Sequence, residues 1–324
     1  MREELLHGAY DLHVHTAPDV VPRKVNHLEA AQRCLQAGMK GFTIKSQYAL
    51  TTDFAEETMR AYPECNAISG IVLNTTVGGI NPIAAEYAFR RGAKIVWFPT
   101  MDAPKEQAFI IKHAPDLVSM QIALSRGHIA IPDCSLLDER GELRQSAKDV
   151  VTVAKKHNAV VATGHISHEE CFAVAQEAYR QGVEKLVITH ANLPATRYSV
   201  AEQKKLIDLG AIIERSYIVL YKGMIDAETE AAEIAAVGAD HVFLSSDFGR
   251  PEAPFFDEGL LAYTIPCTQE LIIILKRGPE TPRDFDGELF GQLIDKVIIE
   301  SNTSLRFRLK NGLELRESIE RTVR

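Results

Sequence analysis

A single (β/α)8 TIM barrel is the fold class that this sequence predicts, and three observations predict it. Short β-rich apolar runs alternate with amphipathic stretches eight times along the chain. Histidine or aspartate stands directly after the ends of several of those runs, where reactive side chains gather in such barrels. The length of 324 residues, with 46% hydrophobic and 25% charged, is ordinary for a globular chain and fits one barrel domain over 1–324.

The first predicted strand is Ala9 to Thr16, followed by a helix from about Asn26 to Gly38. Gly41 to Ser46 is the second strand, with a helix near Thr52 to Ala61. The third, Asn66 to Leu73, precedes a helix opened by Asn81-Pro82. Strand four is Ala93 to Phe98, five is Ala159 to Thr163, six is Lys185 to Thr189, seven is Ala211 to Arg215 and eight is His241 to Ser246. A longer insertion separates strands four and five. There His128 to Pro132 and Gly141 to Leu143 flank turn-like residues around Asp138, which predicts a hairpin over the barrel mouth. From Asp284 a helix is expected through Ile299, ending in a charged segment, as a helical C-terminal extension (284–324) that braces the barrel.

The formal net charge of −8, without a Lys/Arg cluster, argues against nucleic-acid binding and for a small-molecule partner. The N-terminal residues lack a signal-peptide pattern, and no uncharged apolar run is long enough to span a bilayer. A cytoplasmic protein with no membrane partner is therefore expected. Five widely spaced cysteines form neither a CxxC nor a compact framework and read as reduced thiols. A homo-oligomer is a prior that barrels of this class carry.

The chemistry lies at the strand ends. Strand one ends with His13 and His15, strand five with His165, strand six with His190 and strand eight with Asp247. Residues two apart on a strand share a face, so His13 and His15 point at one ion. Imidazoles with one carboxylate suit zinc or another transition metal and suit magnesium or calcium poorly. The histidines His7, His27, His113, His157 and His241 fall on helices, edges or a strand start and read as surface or core groups. His168 reads as a cap or supporting group.

With these residues in place, the chain resembles the amidohydrolase superfamily. The HxH of DLHVH, the His of ATGHIS, the His of VITHAN and the Asp of LSSDFG occur in that family's order, over nearly the whole chain. Within it, the DLHVHTAPD opening and the lysine after strand two, Lys45, are most similar to a poorly characterised group of metal-dependent hydrolases. The resemblance implies one or two divalent metals and hydrolysis of an amide, cyclic amide, lactone, ester or phosphoester. One departure stands out: members with two metals bridge them by a carboxylated lysine or a glutamate from strand four, whereas this strand four ends Trp97-Phe98-Pro99-Thr100-Met101-Asp102. Lys45 is one substitute, because a lysine of depressed pKa captures carbon dioxide as a carbamate. The alternatives are Lys45 as an ammonium that binds a substrate anion, or Asp102 in the bridging place.

Asp247 is the expected proton carrier for an attacking water. Arg23, Arg215 and Arg250 are candidate clamps for a substrate carboxylate or phosphate, and Asn192, Tyr217 and Tyr221 are candidate pocket residues. Two other readings compete: a metal-dependent decarboxylase or isomerase on the same scaffold, and a non-catalytic metal-binding barrel.

Overall fold

The eight apolar runs become eight parallel strands, paired in sequence order: β1 (Tyr10–Val14), β2 (Gly41–Ile44), β3 (Asn66–Val72), β4 (Ile95–Trp97), β5 (Val160–Ala162), β6 (Leu186–Ile188), β7 (Ala211–Ser216) and β8 (Val242–Ser245). The computed structural model describes residues 5–113, 133–277, 294–301, 304–309 and 314–318. A parallel bridge between Val14 and Phe248 brings the first strand against the end of the eighth, giving a nearly closed TIM barrel. Helices stand between the strands, and local chemistry starts them. Asn26 with Glu29, Ser167 with Glu170 and Ser199 with Glu202 form capping boxes, and Asn81 caps a helix that begins at Pro82.

Alternation along the strands separates two apolar layers. Outward residues such as Val161, Leu186 and Ile213 pack beneath the helices, while Ile95, Trp97 and Ala162 form a small inner cluster. Gly70 makes room for that cluster, because a Cβ there would stand 2.4 Å from the Trp97 ring. All five cysteines are buried and unpaired. Among the described residues no helix is long and apolar enough to cross a membrane.

The chain divides into two compact units, Met1–Ile272 and Ile273–Arg324. One expectation is corrected. The expected C-terminal helix through Ile299 gives way to the strand β9 (Ile294–Ser301), which joins β10 (Ser304–Leu309) and β11 (Glu314–Ser318) in an antiparallel sheet. The β-branched run Val297-Ile298-Ile299 and the strict alternation of Leu305, Phe307 and Leu309 with arginines favour strands. In the insertion, His128 to Pro132 lie outside the described residues. The following segment makes an antiparallel bridge, Leu137 to Leu143, around a turn held by Asp138. Helices at Pro104–His113 and Gln145–Lys156 flank the insertion.

Candidate metal centre

The site is assembled at the seam where β1 meets the end of β8. The Asp247 backbone N–H donates to the His13 carbonyl at 3.0 Å, and that of His15 donates to the Phe248 carbonyl at 2.8 Å. Beneath them the Asp11 carboxylate accepts from the backbone N–H groups of His13 at 3.1 Å and Ser246 at 3.2 Å. Burial raises the Asp11 carboxyl to about 7. Asp247 and His190 both adopt left-handed backbone conformations, with φ of 54° and 52°, an uncommon state for residues with a Cβ that concentrates at functional sites. Gly164 (φ 64°) precedes His165, and a Cβ there would lie 2.2 Å from the Phe98 carbonyl oxygen, so only glycine lets the chain deliver that histidine.

The rings converge on Asp247. His13 places Nδ1 2.7 Å from Glu214 Oε1, and its Nε2 lies 3.1 Å from Asp247 Oδ1 and 2.9 Å from Lys45 Nζ. His15 Nε2 stands 3.2 Å from the same Asp247 oxygen. His190 Nδ1 meets Ser216 Oγ at 2.6 Å, and its Nε2 is 3.8 Å from Asp247 Oδ2. A carboxylate or hydroxyl on one ring nitrogen thus fixes which nitrogen of His13 and His190 faces the centre, as supporting groups do for metal-ligating histidines. His165 lies edge-on to His190 with ring centroids 5.2 Å apart. Neither of its buried ring nitrogens has a hydrogen-bond partner, and Glu106 Oε2 is 3.6 Å from Nδ1.

This donor set fits a divalent metal. His13, His15 and Asp247 each offer a ligand atom, all within 4.8 Å of one another. A second group, His13, His190 and Glu214, meets the same spacing. There, however, Glu214 Oε1 is already engaged by the His13 ring and, at 2.7 Å, by the Ser245 hydroxyl, so it orients His13. Burial holds His13 and His190 well below the usual histidine pKa, and at His13 the Lys45 charge adds to it. Burial brings His15 to about 3. All three are neutral at physiological pH, the form that has a lone pair to give. Burial opposes ionisation of Asp247, while the hydrogen bond from His15 and, where these rings carry charge, His13 and His190 act the other way and hold the carboxyl below its ordinary range. Lys45 is brought down to about 8 by burial, partly offset by Asp247 and Glu214.

Of the other residues singled out from sequence, Arg23 and Arg250 line a cavity of about 280 Å³ together with His15, His165 and Asp247. Arg215 and Asn192 are corrections. Arg215 points away from the barrel interior and is fully buried against Glu230, Glu233 and Gln203. The Asn192 amide is consumed by the Ser216 backbone and Glu230. Asp102 Oδ2 accepts from the Thr75 hydroxyl and backbone N–H, both at 2.6 Å. His168 pairs with Glu202 and stacks on Tyr198, while Ser167 supplies the helix cap. Tyr217 packs on Tyr263 and Phe248. Sequence reasoning missed Glu214, Ser216 and Glu106. The first two carried a signal, polar residues two apart at the end of the strand, which period-two alternation turns to the face opposite Arg215.

The model of a family of unknown function, DUF6282, matches residues 8–214. No curated protein matches the chain. Among solved structures, an amidohydrolase from Pseudomonas aeruginosa is 12% identical over 86% of this chain and 91% of its own, with a TM-score of 0.54. A probable dipeptidase from Pseudomonas aeruginosa is 12% identical over 86% and 92%, with a TM-score of 0.49. A TatD homologue from Escherichia coli K12 is 14% identical over 81% and 89%, with a TM-score of 0.48. The first of these similarities shows an amidohydrolase-like barrel at the level of the fold.

Proposed function

The chain belongs to the DUF6282 family, and we propose that it is a metal-dependent hydrolase that directs water at an amide, cyclic amide, lactone, ester or phosphoester bond of a small molecule. The observation that carries this reading is the convergence of His13, His15 and His190 on the Asp247 carboxylate, with the opposite nitrogens of His13 and His190 tied to Glu214 and Ser216. His13, His15, His190 and Asp247, with the unpartnered His165 beside them, would hold the metal, and a nitrogen-rich set favours zinc. When bound, a divalent metal supplies a water-derived nucleophile at neutral pH and polarises the carbonyl or phosphoryl oxygen under attack.

The chain's own residues do the rest. Asp247, ionised at neutral pH and partly open to the cavity, takes the proton of the attacking water and returns it to the leaving group. Glu214 holds the His13 tautomer. Lys45 would set the ion count: burial makes more of its free amine available, which carbon dioxide would convert, with loss of a proton, to a carbamate able to help hold a second ion, whereas an ammonium there would disfavour two cations.

Elemental analysis of protein purified without chelator tests the reading, beside Lys45→Ala, His165→Ala and Asp247→Asn variants. Two metals per chain falling to one or none without Lys45 supports the carbamate, and one metal unaffected by Lys45 gives a single-ion site. Asp247→Asn should keep metal and lose hydrolysis of an amide, lactone and phosphoester panel. Parent protein that takes up no metal even after reconstitution sinks the hydrolase reading.

A further inference from the structure

The cavity beside the metal centre has a second wall of opposite character. Arg23, from the segment after β1, Lys222, from the turn after the helix Tyr217–Tyr221, and Arg250, three residues past Asp247, converge on it. Three cations line one cavity of a chain whose formal charge is −8, with Asp247 and Glu106 as its acidic lining. Arg23 is held in place from behind: Asp19 Oδ2 takes its Nε at 2.8 Å and Nη2 at 2.7 Å, and its side chain is only 6% exposed. Among the described residues Asp19 engages Nε and Nη2 of Arg23 and leaves Nη1 without a hydrogen bond, while the side chains of Lys222 and Arg250 are exposed and pair with no protein group. Met101, Leu193, Met224 and Phe248 also line the cavity and give it an apolar part.

From this arrangement we infer that the substrate is a small organic oxyanion, a carboxylate or a phosphate ester, whose charged group is held by Arg23, Lys222 and Arg250 while the bond to be cut lies against His15, His165 and Asp247. The inference rests on the hydrolase reading above for what happens to the bound molecule. A guanidinium fork fixed by Asp19 offers directed N–H donors that match carboxylate or phosphate oxygens, and the neighbouring ammonium adds charge without demanding an orientation. The apolar part takes the body of the molecule. The volume of about 280 Å³ is near the lower limit of ligand pockets, about 300–1,000 Å³, which selects a metabolite-sized substrate over a polymer.

Calorimetric titration of the metal-loaded protein with two matched pairs tests this: N-acetyl-L-leucine against N-acetyl-L-leucinamide, and O-phospho-N-acetylethanolamine against N-acetylethanolamine. The anionic member of at least one pair should bind about tenfold tighter than its neutral partner, and in a Lys222→Gln/Arg250→Gln variant of unchanged metal content that preference should fall to about twofold or less. The pair with the larger preference identifies the oxyanion. Equal affinity within both pairs, absence of binding included, overturns the inference. So does a preference that survives in the double variant, because the anion is then binding to the metal. Metal content is read on the same samples. Parent protein that takes up no metal even after reconstitution yet keeps the preference sinks the hydrolase reading and retains the oxyanion site, whereas a metal-loaded protein that hydrolyses the panel without the preference does the reverse.

Discussion

Glu214 and Arg215 are neighbours on one strand, both charged and both buried, and they serve opposite ends. Glu214 faces the barrel interior, where it accepts from the His13 ring and the Ser245 hydroxyl. Arg215 faces the helices, where Glu230 at 2.8 Å, Glu233 at 2.9 Å and Gln203 at 3.1 Å take its guanidinium, and the Tyr263 hydroxyl donates to Glu230. The outer cluster spends its guanidinium ends on the protein itself. On the inside, His165 and one nitrogen of His15 remain without hydrogen bonds. A buried polar group left without a partner costs folding free energy, so its survival at a cavity wall points to a ligand that completes it. The two sides meet at Ser216: Asn192, anchored to Glu230, holds the Ser216 backbone, and the Ser216 hydroxyl meets His190.

The largest expected effect comes from the outer side. Arg215→Met leaves the buried Glu230 without its cation, while Glu233 keeps Arg197, and should lower stability by about 3–5 kcal/mol, the usual result of removing one partner of a buried pair. Chemical denaturation measures it. Protein folded at low temperature should still bind metal, since no atom of Arg215 reaches the centre. A variant that loses metal while keeping its stability would reverse the assignment of the two faces.

Glu214→Gln is the counterpart with the smaller effect. The amide no longer draws the His13 Nδ1 proton, and the loss of an orienting carboxylate commonly weakens metal affinity by about 10–100-fold. Competition with a chromophoric chelator reads that change directly. Denaturation should shift little, because the hydrogen-bonding shape is retained. Equal metal affinity in parent and variant would move Glu214 from a supporting role to packing alone.

This pair also marks how far the sequence could be read. The eight strands were legible because each is a short apolar run closed by turn residues, and the convergence of His13, His15, His190 and Asp247 followed from their place at strand ends. Arg215 drew attention as a cation ending a strand, yet alternation with Ile213 turns it outward, and the same count places Glu214 inside. Asn192 follows a strand end as well, but its amide is used up by backbone and Glu230, a fact of tertiary packing with no local trace. Glu106 was out of reach for a different reason: it comes from the helix after β4 and returns to His165 across a loop whose path the sequence does not declare. In the tail, Lys310-Asn311-Gly312-Leu313 between two alternating runs was a readable hairpin signal, outweighed in the helix expectation by the apolar run before it.

The comparison between saturated and waiting charges sharpens at the surface, where water replaces either kind of partner. Glu86 lies between Lys156 Nζ at 3.0 Å, Arg90 Nε at 2.7 Å and His157 Nε2 at 2.8 Å, linking the helices Pro82–Arg90 and Gln145–Lys156 and the residue that follows. Lys156, then Arg90 and His157, bring its carboxyl from 4.5 down to about 2. A carboxyl depressed by folding stabilises the folded state fully above its unfolded pKa, and that stabilisation fades as pH falls through the folded one. The stability difference between the parent and Glu86→Gln should therefore be constant above about pH 5 and shrink steadily toward pH 2. It should be the smallest of the three effects and weaken with added salt, because exposed pairs are screened. A difference that stays constant down to pH 2, or that salt leaves untouched, would mean that Glu86 acts by packing and not by its charge.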